Sequence, residues 1–358
     1  MSGDNVWLNL LIIIIQGLVV FFATTTAFAY LTLFERRLLA RLQHRVGPNR
    51  AGPGGFMQPL ADAVKLFFKE DIIPDQADKV VYTIAPALGM IPAILLFAVI
   101  PIGGDMRLFG RDVPLQLTDL NVGVLFLLAV TSIGVYGITL GGWSSNNKYS
   151  MMGGIRSAAQ LVSYELALGL SVMVPVMLAS SLSLRDIVDN QAGWWNMFKP
   201  TGFIALLIFW LASSAEVVRA PFDLVEAEQE LVGGYNTEYS SMKFALFFMA
   251  EYIKLIAVSA IGVTLFMGGW RGPGVDLLRD VGYPNIAALV SVGYFLLKLL
   301  LFLFFSVWIR ATLPRFKYNQ LMDLGWKRLL PISLATVAAT AVGAVLLANT
   351  PYLSRLFG

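Results

Sequence analysis

The sequence predicts an all-α integral membrane protein, with about eight transmembrane helices and further amphipathic helices at the membrane interface. Three observations carry this. Of 358 residues, 57% are hydrophobic and 14% charged, against about 25% charged in soluble domains. Runs of about 20 apolar residues, the length a helix needs to cross a bilayer, recur along the whole chain. The charges that remain collect between the runs or stand singly within them.

The first run, Val6 to Phe34, follows one charge, Asp4, and is longer than the core of a cleaved signal. Further runs occupy 80–101, 120–142, 157–181, 202–220, 241–268, 285–310 and 329–348. Pro86, Pro92 and Pro175 fall inside runs, where membrane helices tolerate kinks. An even number of crossings puts both termini on one side. Seventeen basic residues follow the odd-numbered runs and seven lie on the opposite side. Lys and Arg concentrate on the cytoplasmic face, so both termini are expected to be periplasmic. The chain reads as a single polytopic membrane domain, 1–358, with a cytoplasmic loop over 35–79 and an acidic cytoplasmic loop over 219–240.

Composition also excludes function classes. There is no cysteine and one histidine, His44. The chain therefore has no disulfide framework, iron–sulfur cluster or thiolate zinc site, and no metal site is expected. No phosphate-binding glycine loop is present. The net charge of +3 is too small to argue for nucleic acid.

In the first loop, Phe56–Lys69 has helical period. Gln58, Asp62, Lys65 and Lys69 form one polar stripe, while Leu60, Val64, Phe67 and Phe68 face elsewhere. This predicts a helix lying in the interface, its apolar side against lipid or protein. A plain membrane-surface anchor fits the same pattern.

The most informative segment is Arg219–Tyr239. Asp223, Glu226, Glu228, Glu230 and Glu238, with Glu216 just before, crowd around one basic residue, Arg219. Asp223 and Glu226 read as a capping box and Gly233-Gly234 as a stop, which predicts a two-turn helix between them. Asp223, Glu226 and Glu230 share a face and Glu228 points away. A solvated acidic clasp for the basic first loop is one reading. However, Pro221, Phe222, Leu224, Val225, Leu231 and Val232 interleave with the acids, so half-buried, uncompensated carboxylates of a proton path are the favoured one. Glu165 and Glu251 stand within apolar runs, and a charge at a helix centre costs about 2.5–3.5 kcal/mol. Lys254, at i+3, offers Glu251 a structural pair. Glu165 has no basic residue within helical reach. Coupled carboxylates of this kind can pass protons.

At these residues a family resemblance becomes specific. Its carriers are Glu35-Arg36-Arg37, Arg45-x-Gly47-Pro48-Asn49, Ala61-Asp62-x-x-Lys65, Lys69-Glu70, Gly142-Trp143 and Asn147-Lys148-Tyr149. They continue with Arg156-Ser157-Ala158-Ala159-Gln160, Ser163-Tyr164-Glu165, Arg219–Tyr239 and Asp323-Leu324-Gly325-Trp326-Lys327. In this order, over almost the whole length, the chain resembles one membrane-subunit family of respiratory complex I, the proton-translocating NADH:quinone oxidoreductase. It is the H-type family, called subunit 1 in mitochondria.

The resemblance implies a quinone-tunnel and coupling subunit of that enzyme. Such a protein would admit quinone from the bilayer, dock the peripheral arm and link quinone reduction to proton pumping. By position, Arg36, Asp62, Lys65, Phe244, Phe248 and Met249 match the tunnel. Glu35, Glu165, Glu216, Asp223, Glu226, Glu228, Glu230 and Glu251 match the acidic path. No catalytic residue is expected on this chain alone, and no FMN, iron–sulfur cluster or metal; quinone is the substrate, bound together with other subunits. The implied partners are the other membrane and peripheral-arm subunits, quinone and membrane lipids. The implied location is an energy-conserving membrane, the bacterial plasma membrane being expected.

Membrane subunits of energy-converting hydrogenases and of ferredoxin-dependent complexes share much of the pattern. The intact Gly47-Pro48-Asn49 and acidic segment favour the quinone enzyme. A stand-alone secondary transporter gated by Glu251 and Lys254 is a more distant alternative, and the inverted repeat it should carry is not visible.

Overall fold

The computed structural model describes residues 6–108, 111–223 and 233–349. Among them seven helices are long and apolar enough to cross a membrane. The first is α1 (Val6–Leu42), followed by the short α2 (Gln58–Phe67), then α3 (Lys79–Leu95), α4 (Gly123–Ser144) and α5 (Lys148–Ala179). The short α6 (Leu184–Asn190) leads to α7 (Pro200–Glu216), α8 (Ser241–Phe266), α9 (Val275–Asp280) and α10 (Pro284–Thr312). Last come α11 (Tyr318–Asp323) and α12 (Leu330–Asn349), continuous through a π-helical turn, Leu324–Leu329. The run expected over 202–220 is α7, an apolar helix of 17 residues or about 25 Å, as long as α3 itself, which reaches 20 residues through the turn that follows it to Ala98. A two-stranded hairpin, β1 (Met106–Leu108) and β2 (Arg111–Val113), lies between α3 and α4.

Two helix ends differ from the hydropathy pattern. α1 does not stop at Phe34 but runs on to Leu42, carrying Glu35, Arg36 and Arg37 on continuous helix. α5 begins at Lys148, nine residues before its apolar run. Hydropathy marks where a helix leaves lipid, whereas the helix itself ends where a cap is available. Asn147 is that cap for α5; its side chain accepts from Tyr149 N at 3.0 Å. Asp78 caps α3 in the same way, accepting from Val80 N and Val81 N at 3.1 and 3.3 Å. The expected helix after Asp223, with Glu226, Glu228 and Glu230, lies outside the described residues.

The core is built around α8 and α5, the most buried spans, while α1 is the most peripheral. α8 is apolar on nearly every face, as a helix surrounded by others must be. It packs against α1, α3, α7 and α10. α5 packs against α4, α7 and α12. α3 and α4 touch backbone to backbone at glycine. A Cβ on Gly137 would lie 2.6 Å from Gly89 N and 3.0 Å from Ala85 O. Gly134, one turn earlier on α4, meets nothing within 4 Å. Small residues that let backbones approach are the usual basis of helix packing in lipid.

Gly137→Val should therefore separate α3 from α4 and destabilise the protein by about 1–3 kcal/mol. Gly134→Val, on the same helix, should be close to neutral. Thermal unfolding of the solubilised protein distinguishes them; equal midpoints would mean that the α3–α4 contact is not close.

Candidate functional site

The site begins at a turn. After α7 ends at Glu216, Val218 takes a positive φ of 58°, a conformation that a β-branched residue rarely adopts. This reverses the chain and sends the next side chain, Arg219, back among the helices, where it is 7% exposed. Gln160 of α5 holds the turn in place. Its Nε2 donates to Ala215 O at 2.8 Å and to Phe222 O at 2.9 Å. Phe222 stacks on Phe316, with centroids 5.5 Å apart.

Arg219 joins three helices. Its Nη1 donates to both carboxylate oxygens of Glu35 on α1, at 2.8 and 3.0 Å. Its Nε lies 2.5 Å from Oε1 of Glu251 on α8, as an ion pair off the hydrogen-bond direction. The guanidinium carbon sits 3.9 Å from the centroid of Tyr252. Glu35, 2% exposed, also takes a hydrogen bond from Arg310 at the end of α10. Two carboxylates and two guanidiniums thus alternate in one buried row.

A second pair stands beside the first. Lys254 Nζ is 3.0 Å from Glu216 Oε1. The structural Glu251–Lys254 pair allowed by sequence spacing does not form, because each partner is taken by a residue from the turn. Glu216, Glu251 and Lys254 line a cavity of ≈ 40 Å³. Roughly 10–15 Å³ suffices for a water molecule. At the far end of the turn, Asp223 accepts from Arg315 Nη2 at 2.7 Å. Glu165 stands apart on α5; it accepts from the Ser132 hydroxyl of α4, a span that has no acidic side chain of its own.

The sequence reading of uncompensated acids is therefore corrected for Glu216 and Asp223, and Glu35 and Glu251 are paired as well. Each has a cation within 3.0 Å or closer. Of the described acids of the path, only Glu165, with a hydroxyl partner, matches that expectation. The two described acids of the segment do not clasp the basic first loop: Asp223 pairs with Arg315 and Glu238 with Asn147. Glu226, Glu228 and Glu230 lie outside the described residues, and Lys243 meets the first loop at Asp71 (2.9 Å).

An aromatic ladder leads to this row. Phe244, Phe248 and Tyr252 follow one another on a face of α8. Phe244 and Phe248 stack with centroids 6.2 Å apart, and Phe248 is 4.7 Å from Tyr252. Phe28 of α1 packs against Phe248 and Tyr252, at 6.2 and 5.8 Å. Met249 packs alongside in the core. At its outer end the ladder meets α2, which lies against both α1 and α8. There Asp62 accepts from Arg36 Nη1 at 2.7 Å and from Gln58 Nε2 at 3.0 Å, and Lys65 follows on the same face. α2 buries none of its residues. Leu60, Val64 and Phe67 point away from the chain.

The segment after Gly233 closes the site from below. Tyr239 stacks on Tyr82 at 4.1 Å and donates to Tyr82 O at 3.2 Å. Burial pushes its phenol up to about 12, so it remains a donor. Asn147 holds Glu238 at 2.5 Å. The functional partners that sequence reasoning missed are Arg310, Arg315, Ser132 and Tyr252. Arg310 and Arg315 counted only as loop charge, and nothing local to them points at Glu35 or Asp223.

Known proteins share this pattern over most of its length. A family model described as NADH dehydrogenase matches residues 15–341. An NADH-quinone oxidoreductase subunit of Geobacter metallireducens, of type H and numbered 1, is 52% identical over 322 residues, covering 90% of this chain and 93% of that one. The H-type subunit of Thermomicrobium roseum is 48% identical, covering 94% and 97%. That of Koribacter versatilis, numbered 2, is 47% identical, covering 94% and 98%. The chain belongs to the H-type family of NADH-quinone oxidoreductase subunits. It is a multi-pass membrane component of an enzyme complex, NADH:quinone oxidoreductase. Among the described residues no group of His, Cys, Asp or Glu that would hold a metal is present.

The geometry ranks the arginines. Removing one partner of a buried ion pair costs about 3–5 kcal/mol. Arg219→Gln strands Glu251 and half of Glu35, and should severely reduce assembled complex. Arg219→Lys keeps the charge but replaces the fork, which reaches Glu35 and Glu251 from separate nitrogens, by a single ammonium, and should rescue only in part. Arg310→Gln leaves Glu35 with Arg219, and should cost less than either. Native gel quantitation of the complex in membranes gives the order; Arg310→Gln being the most damaging would contradict it.

Proposed function

We propose that this chain forms the quinone access chamber of its complex and couples quinone reduction to proton pumping through its buried charge row. The observation that carries the reading is the junction at Tyr252, where the aromatic ladder of α8 ends against Arg219. An apolar, aromatic slot suits an isoprenoid tail, with polar groups fixing only its ends. Arg36, Asp62 and Lys65 form the entrance beside α2; Phe244, Phe248 and Met249 form the wall. The charge row then begins where the slot ends.

In this reading Glu35, Glu251, Glu216 and Glu165 make the described part of the proton path, with Asp223 at its margin. Glu226, Glu228 and Glu230 belong to it by sequence. A negative charge arriving at the chamber competes for Arg219 and loosens Glu251. That carboxylate shares a cavity with Glu216 and Lys254, so a proton or an ion-pair exchange can pass along. The loops 35–79 and 219–240 lie on the cytoplasmic side and dock the peripheral arm; both termini are periplasmic, in a bacterial plasma membrane. Quinone is the substrate, and its redox partners reside on other chains.

Three outcomes are expected. Lys65→Met should raise the apparent KM for a short-chain quinone in a fully assembled complex while kcat changes little, since the entrance orients and does no chemistry. Unchanged quinone kinetics would return α2 to a plain anchor. Glu165→Gln, Glu216→Gln and Glu228→Gln keep shape but remove a transferable proton. Each should lower quinone reductase activity and proton uptake together in reconstituted vesicles, normalised to assembled complex. Wild-type pumping by all three would leave the path without support. A Ser354→Cys variant of this cysteine-free chain should react with a membrane-impermeant maleimide from the periplasmic side; labelling only from the cytoplasm would refute the orientation.

A further inference from the structure

We propose that the cytoplasmic end of α1 carries a binding site for one anionic phospholipid, with Arg37 and Arg41 holding its phosphodiester. A cleft of ≈ 290 Å³ runs along this end of the helix. Its wall is Tyr30, Leu33, Phe34, Arg37, Leu38 and Arg41, spaced by three and four residues, which is one continuous helical face. Phe56 of the first loop closes the cleft. Its ring lies 6.1 Å from Tyr30 and 5.2 Å from the Arg37 guanidinium, and Arg37 also donates to Gly54 O.

This face is separate from the chamber. Each residue turns a helix by about 100°, so Arg37 points about 200° away from Glu35. Glu35 and Phe28 mark the side of α1 that meets Arg219 and α8. The cleft faces outward on the most peripheral span, where bilayer lipid is the neighbouring medium.

The chemistry of the cleft runs along its length. The end within the apolar run offers Tyr30, Leu33 and Phe34, while the end at the membrane surface offers two guanidiniums four residues apart. An amphiphile with acyl chains and an anionic head matches both ends. Among the described residues neither arginine pairs with a carboxylate, and Arg37 is engaged only by Gly54 O and the Phe56 ring. Between Glu35 and Asp62 the sequence has no acidic residue. Glu35 is held by Arg219 and Arg310, and Asp62 by Arg36. Arg41 is exposed and pairs with no carboxylate among the described residues. Guanidinium forks fit phosphate oxygens bidentately. A zwitterionic lipid offers the same phosphate but sets a fixed cation beside the two arginines, so a net anionic headgroup fits better, and an acidic protein segment would have no need of the apolar half.

The test uses the purified complex, delipidated in detergent and titrated with phosphatidylglycerol or with phosphatidylcholine of the same chains. Native mass spectrometry counts the bound lipid. The wild-type complex should acquire a phosphatidylglycerol at about five-fold lower lipid than Arg41→Gln, with Arg41→Lys, which keeps the charge but not the fork, in between and phosphatidylcholine binding changed less by either substitution. Tyr30→Ser, at the apolar end, should weaken phosphatidylglycerol binding too, and serves should Arg41→Gln not assemble. Equal phosphatidylglycerol binding by wild type and the variants overturns the site. Equal affinity for the two lipids would make the cleft an apolar slot only. Loss of another subunit from Arg41→Gln, with lipid uptake unchanged, would assign the arginine to a protein contact and overturn the site as well.

Discussion

Everything in the centre of this molecule depends on one guanidinium placed where water does not reach. Arg219 cannot shed its proton, and an unpaired charge inside a bilayer protein is among the most expensive things a fold can hold. The chain meets that cost with carboxylates from two other helices, Glu35 on α1 and Glu251 on α8, and with the face of Tyr252. Glu251 is in turn tolerable because Arg219 is there, and Glu35 because Arg219 and Arg310 share it. Without the peripheral α1 held by this link, the aromatic slot between α1 and α8 would have only apolar contact to close it, and lipid tails offer equivalent contact. The backbone supports the arrangement at some cost, with Val218 in a left-handed conformation and Gln160 satisfying the carbonyls on both sides of the turn.

How much of this was legible in the sequence divides along a physical line. Hydropathy and spacing carry local information, and what they carry was readable: the membrane class, the positions of the spans, and the polar stripe of α2 ending in Asp62 and Lys65. The membrane cost of a charge also singled out Glu165, Glu216 and Glu251 as residues needing an explanation, whereas Glu35 entered only through the family resemblance. Their partners were not readable, because they come from 184 and 275 residues away for Glu35 and 92 away for Asp223. The i+3 rule proposed Lys254 for Glu251, and the fold gave Lys254 to Glu216 instead. Helical spacing lists which pairs are possible on one helix; the turn at 217–223 decided among them by bringing a stronger partner. The end of α1 was misjudged for a similar reason. Arg36 and Arg37 look like loop residues by charge, yet as helix they project to Asp62 and to Gly54.

Pairing changes what the buried acids can do. A row of uncompensated carboxylates would be held protonated by mutual repulsion, and would pass a proton only by losing one outright. In the row Arg310, Glu35, Arg219, Glu251 the charges balance, and the neighbouring Lys254 and Glu216 balance again. A balanced row is stable at rest and responds to displacement. If an added negative charge draws Arg219 away, Glu251 is left unpaired next to a cavity it shares with Glu216 and Lys254. Its two ways out are to take up a proton or to capture Lys254, and the second frees Glu216 to do the same. Coulomb energies at these separations are several kcal/mol even at an effective dielectric of about 20, enough to move a pair but not enough to be irreversible.

The site also has a direction. Phe244, Phe248 and Tyr252 lead inward from α2, and the row of charges runs on from Tyr252 toward α7, with Glu165 and Ser132 beyond it on α5 and α4. In the function proposed above, uncharged substrate and charge displacement would occupy successive lengths of the same route and would not compete for the same space. Tyr252 belongs to both, as the last ring of the ladder and the surface on which Arg219 rests. A change there should be felt in substrate handling and in charge movement at once, whereas Phe244 touches only the first and Glu165 only the second. Along α8 the aromatic residues Phe244 and Phe248 give way within one helical turn to the charged Glu251 and Lys254, the order that the proposed coupling requires.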